Sequence, residues 1–394
     1  MNIIFVANHY IDGGKPTQGF TAYLYRVTQA LLKMGHNPVI IAGGKKNRSF
    51  INDGIEVHEV AIKDGVKNSG KYGMVINNLK LSFFLNKRVK EICGIRKIDI
   101  IQFTSLSQTA LFYYGRTPAV LRLSSYTKIA YDGSQTLDKN IIRLLSWLEL
   151  LAARRCSAVF APSRITADAF CGDLNRKVAV IESPFFDDIQ EMDYKVYNDN
   201  LQGKKYVLFF GRLYAEKGIL VIADILYEFL QKNKEYYMVF CGKDELIQGK
   251  SAKRILKDAA ADNRDRLLFF NPLPHDKLYP IIKESEYVIL PSFMENFSNA
   301  CVEAMYFKKL VIGTDGASFE QLICDGKNGF LCQINDSNSL LEKMQMAVNM
   351  NVADRERIGL NAHRRIQPLK PEIAVQRLVE FYKYIVSQGG AGCR

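Results

Sequence analysis

The chain has 394 residues, 48% apolar and 24% charged, with 27 glycines and 11 prolines. This composition excludes a disordered, collagenous or fibrous protein, and at roughly 100 to 200 residues per domain the length favours two domains, each able to bury a core without staples. The formal charge of 53 − 41 = +12 is one-sided: residues 1–190 hold 25 Lys+Arg and 15 Asp+Glu (+10), residues 191–394 hold 28 and 26 (+2). A one-sided surplus predicts an anionic surface, ligand or nucleic acid facing the first half. The eight cysteines are scattered with no Cys-x-x-Cys, as expected of free thiols in a reducing compartment. The start, MNIIFVANHY, lacks the basic segment and cleavage site of a signal peptide and reads as a strand. No apolar run approaches the roughly 20 residues that span a bilayer, so a cytoplasmic protein is expected.

In chain order the first half reads as strand NIIFVA, a helix over 19–34, strands PVIIAG and IEVHEV, a long helix near 74–93, strands IDIIQF and AVLRLS, a helix near 139–154 and strand AVFAPS. Continuous Val/Ile-rich strands separated by amphipathic helices predict a parallel sheet covered on both faces. The alternation restarts with YVLFFG, a helix over 217–232, YMVFCG, a helix near 251–260, LLFFNP, a helix near 275–284, YVILPS, a helix over 299–307, LVIGTD and GFLCQ. The expected organisation is a Rossmann-like α/β domain over 1–185, a linker over 186–205 without clear periodicity, and a second doubly wound domain over 206–370. A last helix over 371–388 is expected to cross back onto the first domain, ahead of a frayed GGAGCR end. Two such domains are expected to face each other across a cleft at their strand C-terminal ends.

The chemistry is concentrated in the second half. In FFGRLYAEKGI a strand ends at Gly211 and two cations, Arg212 and Lys217, precede a helix opening near Gly218. Cations at a strand-to-helix junction, beside the helix N-terminus, suit a diphosphate, although solvated helix-end charges give the same pattern. PSFMENFSNACVEAM places Glu295 in a loop after a strand and Glu303 about one turn inside the next helix, where a carboxylate can accept both hydroxyls of a ribose. Glu320 follows on a short helix, ahead of the turns Asp325-Gly326 and Asn328-Gly329.

Arg212, Lys217, Glu295, Glu303, Glu320 and the closing DGKNGFL, in this order and spacing, resemble the family-4 retaining glycosyltransferases of the GT-B fold. QGFTAYLYRVTQALLKMGHNPVII resembles that family's Gly-Gly loop, helix, Gly-His turn and second strand, with Gln18 at the first glycine and Gly13-Gly14 further upstream. The resemblance implies that Arg212 and Lys217 hold the donor diphosphate, Glu303 the ribose, and that Gly19 lets the backbone approach the phosphates. It further implies that Glu295, Asn296, Phe297 and Ser298 line the sugar pocket and that the segment around Leu273 meets the base. Asn296-Phe297-Ser298 is bulkier than the family's usual Gly-Phe-Gly. Many members read Pro-x-Val-x-x-x-His, with the histidine near the donor sugar; here PAVLRLSSY puts Ser124 at that place. A serine supplies no imidazolium charge, and contact with a sugar or acceptor and local backbone capping both stay open for it.

The resemblance implies front-face transfer in which the leaving phosphate takes the acceptor proton, with Arg212 and Lys217 stabilising the leaving group. Glu295 is the alternative nucleophile. The sequence holds no Asp-x-Asp, so no metal and no cofactor beyond the nucleotide-sugar donor is expected. The expected acceptor is a glycan or lipid-linked sugar, in bacterial surface polysaccharide or glycoconjugate synthesis. In residues 77–97, Leu79, Phe83 and Phe84 are interleaved with Lys80, Lys87, Arg88 and Lys90; such a helix suits either an anionic inner membrane leaflet or a packed core face with a basic edge. No nucleic-acid module or Lys/Arg-rich tail is present, so nucleic acid is not expected as a partner. A catalytically silent partner subunit and a sugar-nucleotide epimerase of the same fold are the alternative functions.

Overall fold

The computed structural model describes residues 1–10, 19–61, 72–130, 138–185 and 191–389. Their contacts separate into two compact units, Met1–Phe186 with Leu369–Arg394, and Asp187–Pro368. The first contains strands β1 (Asn2–Ala7), β2 (Asn37–Gly44), β3 (Arg48–Asn52), β4 (Ile55–Ala61), β5 (Ile100–Thr104), β6 (Ala119–Arg122), β7 (Ala158–Ala161) and β8 (Ala179–Val180). Its helices before the chain leaves it are α1 (Gly19–Lys33), α2 (Gly73–Ile95), α3 (Thr127–Ala130), α4 (Lys139–Arg154) and α5 (Arg164–Leu174). The sheet order is β3-β4-β2-β1-β5-β6-β7-β8, parallel except at the β3–β4 pair.

The pleat of β1 explains the layering, because alternate residues face opposite sides. Ile3, Phe5 and Ala7 pack with Leu24, Val27 and Leu31 of α1, whereas Ile4 and Val6 join Leu81, Leu85 and Val89 of α2 and Leu145 and Leu148 of α4. The run is apolar throughout because both of its faces are covered.

The second unit contains α6 (Lys195–Asn200), β9 (Lys205–Phe210), α7 (Ile219–Lys232), β10 (Tyr236–Cys241), the short hairpin β11 (Leu246–Ile247) and β12 (Lys250–Ser251), α8 (Ala252–Ala260) and β13 (Leu267–Phe270). It continues with α9 (His275–Glu284), β14 (Tyr287–Leu290), α10 (Asn299–Tyr306), β15 (Val311–Thr314), β16 (Phe330–Cys332), α11 (Ser337–Asn349) and α12 (Val352–Ile366). Its six main strands run in the order β13-β10-β9-β14-β15-β16, all parallel. Val207 and Phe209 of β9 pack with Ile222, Leu226 and Phe229 of α7 and Leu340 and Met344 of α11; on the alternate side Tyr206 donates to the Ile281 carbonyl of α9 at 2.6 Å. The chain then returns: α13 (Pro371–Ser387) opens on a proline and buries Val375, Leu378, Val379 and Tyr382 against the α1 face of the first unit.

Several elements differ from the sequence reading. The expected linker 186–205 contains α6, which is tied to the second unit by Asp193 N–H on the Asp276 carbonyl (2.9 Å) and by Lys283 Nζ on the Tyr194 hydroxyl (3.1 Å); residues 186–190 lie outside the described ones. The first sheet carries an antiparallel edge strand, β3, on its otherwise parallel body. Helices α11 and α12 follow the last strand, capped by Asp336 and Asn351. Gly13-Gly14, Gln18 and most of the GGAGCR end also lie outside the described residues. Among the described residues the cysteines are free, and no helix is long and apolar enough to cross a membrane.

Candidate functional site

In the second sheet, β9 is flanked by β10 on one side and β14 on the other, so the strand order reverses beside it. The carboxyl ends of strands at such a switch point are where open α/β sheets bind ligands. The loops leaving β9 and β14 carry the residues singled out from the sequence, and Phe293 N–H joins them by donating to the Glu216 carbonyl at 2.9 Å. Two glycines permit close backbone approaches around the end of β9. Gly218 has φ +76°, and a Cβ on it would sit 2.0 Å from the Pro291 carbonyl oxygen; a Cβ on Gly242 would sit 1.7 Å from that of Gly211.

Lys217 closes a 3-10 turn (Ala215–Lys217) ahead of α7, and its ammonium pairs with the Glu295 carboxylate. Ser292 donates to the same carboxylate oxygen at 3.0 Å. The two side chains are only 23% and 14% exposed, so the pair is sheltered. Arg212 stands apart: its side chain is 62% exposed and reaches Glu245 Oε1 at 3.4 Å, with the guanidinium 4.7 Å from the Tyr214 ring centre. Lys243 also binds Glu245 Oε1 (3.0 Å), and that hydrogen bond is the chief cause holding the carboxyl below its ordinary range. The loop therefore presents cations already balanced by carboxylates.

Glu303 lies one turn into α10, buried, with its Oε1 3.7 Å from His275 Nε2; His275 stacks on Tyr279 at 5.1 Å. Ser298 caps α10, its hydroxyl accepting from Cys301 N–H. The Asn296 carbonyl accepts from the Ser318 hydroxyl at 3.2 Å, and Phe297 is half-buried beside it. Leu273 is half-buried between β13 and α9; in the same turn the Asn271 carbonyl accepts from the Cys241 thiol at 3.7 Å. Burial pushes that thiol up to about 12, leaving it inert near neutrality. Glu320 is exposed. The DGKNGFL turn is held by Asn328, which accepts from Cys324 N–H (2.6 Å) and donates to the Leu322 carbonyl (3.0 Å), and by Asp325 on Leu331 N–H (2.8 Å).

In the first unit Gly19 opens α1 at φ +67°, with no atom of the described residues within 4 Å of where a Cβ would stand. Ser124 follows β6. Its hydroxyl oxygen accepts from Arg122 Nη1 (2.8 Å) and lies 2.9 Å from Thr104 Oγ1, and its N–H donates to Ser105 Oγ (3.1 Å). Sequence reasoning did not single out His275, Ser292 or Arg122. Only Arg122 carried a signal: two residues before Ser124 on a strand, it shares Ser124's side of the sheet.

The described residues hold no cluster of three or more His, Cys, Asp or Glu suited to a metal. The deciding comparison is with family profiles: the glycosyltransferase family 4 profile matches residues 17–185 and the glycosyl transferases group 1 profile matches residues 194–365. The chain belongs to the group 1, family 4 glycosyltransferases. This glycosyltransferase is 26% identical over 154 residues to an uncharacterized glycosyltransferase of Methanocaldococcus jannaschii (39% of this chain, 41% of that one). It is 24% identical over 178 residues to a lipopolysaccharide core biosynthesis mannosyltransferase of Rhizobium leguminosarum bv. viciae (45% and 49%). It is also 24% identical over 241 residues to a 2-deoxystreptamine N-acetyl-D-glucosaminyltransferase of Niallia circulans (60% and 59%). These matches thus span about two fifths to three fifths of the relatives' length. Among solved structures, sucrose-phosphate synthase from Thermosynechococcus elongatus superposes with a TM-score of 0.77 at 14% identity, covering 98% of this chain and 100% of that one. An Anabaena protein in complex with UDP and glucose superposes at 0.69 and 18%, covering 97% and 99%. At such identities the likeness establishes the GT-B fold.

Proposed function

We propose that this glycosyltransferase moves a sugar, with retention, from a nucleotide-sugar donor to a glycan or lipid-linked acceptor, in bacterial surface polysaccharide or glycoconjugate synthesis. The observation that carries the reading is the sheltered Lys217–Glu295 pair at the switch point of the second sheet. In this reading Lys217 exchanges part of its bond to Glu295 for the donor diphosphate, Arg212 adds a second cation from the exposed side, and Glu303 accepts the ribose hydroxyls. Glu295, held by Ser292 as Lys217 turns to phosphate, orients sugar hydroxyls beside Asn296 and Phe297, and Leu273 meets the base. Gly19, at φ +67°, brings its backbone to the phosphates. Leaving-group charge is stabilised by preorganised cations, and no step uses a metal ion. A thermal-shift screen of UDP-, GDP- and ADP-sugars against the free nucleotides tests the reading, because ligand raises stability as its concentration exceeds Kd. No shift with any of them would defeat it.

We further propose that the first unit meets an anionic membrane surface. On α2 the side chains Phe83 and Phe84 are 53% and 40% exposed, flanked by exposed Lys80, Lys87 and Lys90. A cavity of about 490 Å³ beside Phe83 is lined by Phe112 and Tyr114 and edged by Lys87, Lys90 and Arg116. Aromatic side chains ringed by cations suit the interface of anionic lipid. Flotation with anionic vesicles that Phe83→Ser with Phe84→Ser abolishes supports this; equal recovery with neutral vesicles opposes it.

A further inference from the structure

Strands β9 and β10 end side by side, Phe210 beside Cys241, and the loops that leave them are stitched together. Leu213 N–H donates to the Lys243 carbonyl at 2.8 Å, and Glu245 N–H donates to the Leu213 carbonyl at 3.2 Å, forming one parallel rung between Leu213 and Asp244. Leu213 is fully buried, which anchors the rung on the core. Asp244 accepts from the Ser251 hydroxyl (2.7 Å) and from Lys253 N–H (3.1 Å), and Ala252 N–H donates to the Glu245 carbonyl at 3.0 Å. The backbone of Glu245 is therefore held from two sides, by the loop leaving β9 and by the start of α8.

Two cations converge on this fixed carboxylate. Glu245 Oε1 lies 3.0 Å from Lys243 Nζ and 3.4 Å from Arg212 Nη2. The Glu245 side chain is 24% exposed against 62% for Arg212 and 67% for Lys243, so the carboxylate is the sheltered member and the two cations are the movable ones. The Lys243 hydrogen bond is the chief cause keeping the Glu245 carboxyl below its ordinary range, so it is ionised near neutrality. At 3.4 Å the Arg212 contact is long for a charge-assisted bond, and exposed pairs of this kind are weak. A diphosphate, with more charge and more acceptor oxygens, competes for that guanidinium with advantage. Two cations on one carboxylate leave one positive charge over, so the cluster still attracts an anion.

We propose that Glu245 is a positioning residue for donor binding: it holds Arg212 in the free enzyme and yields it to the donor diphosphate, while Lys243 retains the carboxylate. This rests on the glycosyltransferase reading above, in which Arg212 meets that diphosphate. Donor capture then needs the swing of one exposed side chain and no rebuilding of the loop. The same competition acts on the product, because Glu245 takes Arg212 back from the nucleoside diphosphate and so loosens it. Lys243 acts at one remove: by sharing Oε1 it weakens the hold of Glu245 on Arg212.

The test measures Kd by calorimetry on the full chain at low ionic strength, where exposed charges are least screened, with the nucleoside diphosphate of the sugar nucleotide selected by thermal shift. Glu245→Gln should bind it about 2- to 5-fold more tightly, the factor expected on releasing an exposed ion pair. Arg212→Met should bind more weakly, and adding Glu245→Gln to it should recover little, because the carboxylate then has no guanidinium to hold. Lys243→Met should also weaken binding, but only while Glu245 is present; in the Glu245→Gln background it should change little. If Glu245→Gln does not fold, Glu245→Ala takes its place in each comparison. Affinity unchanged or lowered by loss of the carboxylate overturns the proposal. So does an undiminished gain with Arg212 already removed, which would mean direct repulsion of the phosphates by Glu245, and so does an equal Lys243→Met loss in both backgrounds, which would put Lys243 on the phosphates itself. A wild-type chain that binds no nucleoside diphosphate overturns the glycosyltransferase reading beneath the proposal, a result distinct from failure at Glu245 alone.

Discussion

Replacing Lys217 separates the structural and chemical roles of the ion pair. Its partners are 23% and 14% exposed, between the exposed pairs worth under about 1 kcal/mol and the fully buried ones whose breaking costs about 3 to 5 kcal/mol. Lys217→Met leaves Glu295 sheltered with Ser292 as its remaining donor, so a stability loss of about 1 to 2 kcal/mol is expected. If the ammonium also stabilises the departing diphosphate, turnover falls by a further about 2 to 4 kcal/mol, which is about 30- to 1,000-fold. The double variant Lys217→Met/Glu295→Gln removes the stranded carboxylate, so it should regain most of the stability and none of the turnover. Urea denaturation and donor hydrolysis on the three proteins give the two quantities. Recovery of stability and turnover together in the double variant would refute the reasoning, because the lysine would then matter only as the partner of Glu295.

Gly218→Ala should cost at least about 3 kcal/mol, combining a left-handed backbone with a clash on the Pro291 carbonyl. Gly316→Ala, at φ +79° with open space around it, should lose only about 1 kcal/mol; equal losses in urea denaturation would remove the clash from the account. Burial raises the Glu149 carboxyl from 4.5 to about 7, favouring its neutral form in the folded chain. Its contribution is therefore complete below about pH 4.5 and lost as pH rises through about 7, a change of up to about 3 kcal/mol. Glu149→Gln should flatten that dependence and be the more stable protein at pH 8; an unchanged profile would count against the burial.

The parts of the fold legible in the sequence are those whose physics is local. Strands such as IIFVA are apolar on both pleats because helices cover both sides, and Arg212 and Lys217 sit close together in a single strand-to-helix loop. What stayed hidden depends on distant partners or on weak burial. Helix α6 buries none of its residues, so KVYNDN carries no periodicity, and the edge strand RSFIN has no fully buried residue. The approach of His275 to Glu303 joins residues on two different helices. Arg122 reads as an ordinary strand-end charge until Tyr23, Gln102, Tyr382 and Ser183, from four separate segments, are brought around it.

The measurement that bears most directly on the central claim is NMR observation of donor turnover in the presence of EDTA. The account predicts release of nucleoside diphosphate and a first-formed sugar product with the donor's anomeric configuration, at a rate EDTA leaves unchanged. Nucleotide binding without turnover, an inverted first product, or activity that returns only with added Mn²⁺ or Mg²⁺ would contradict it.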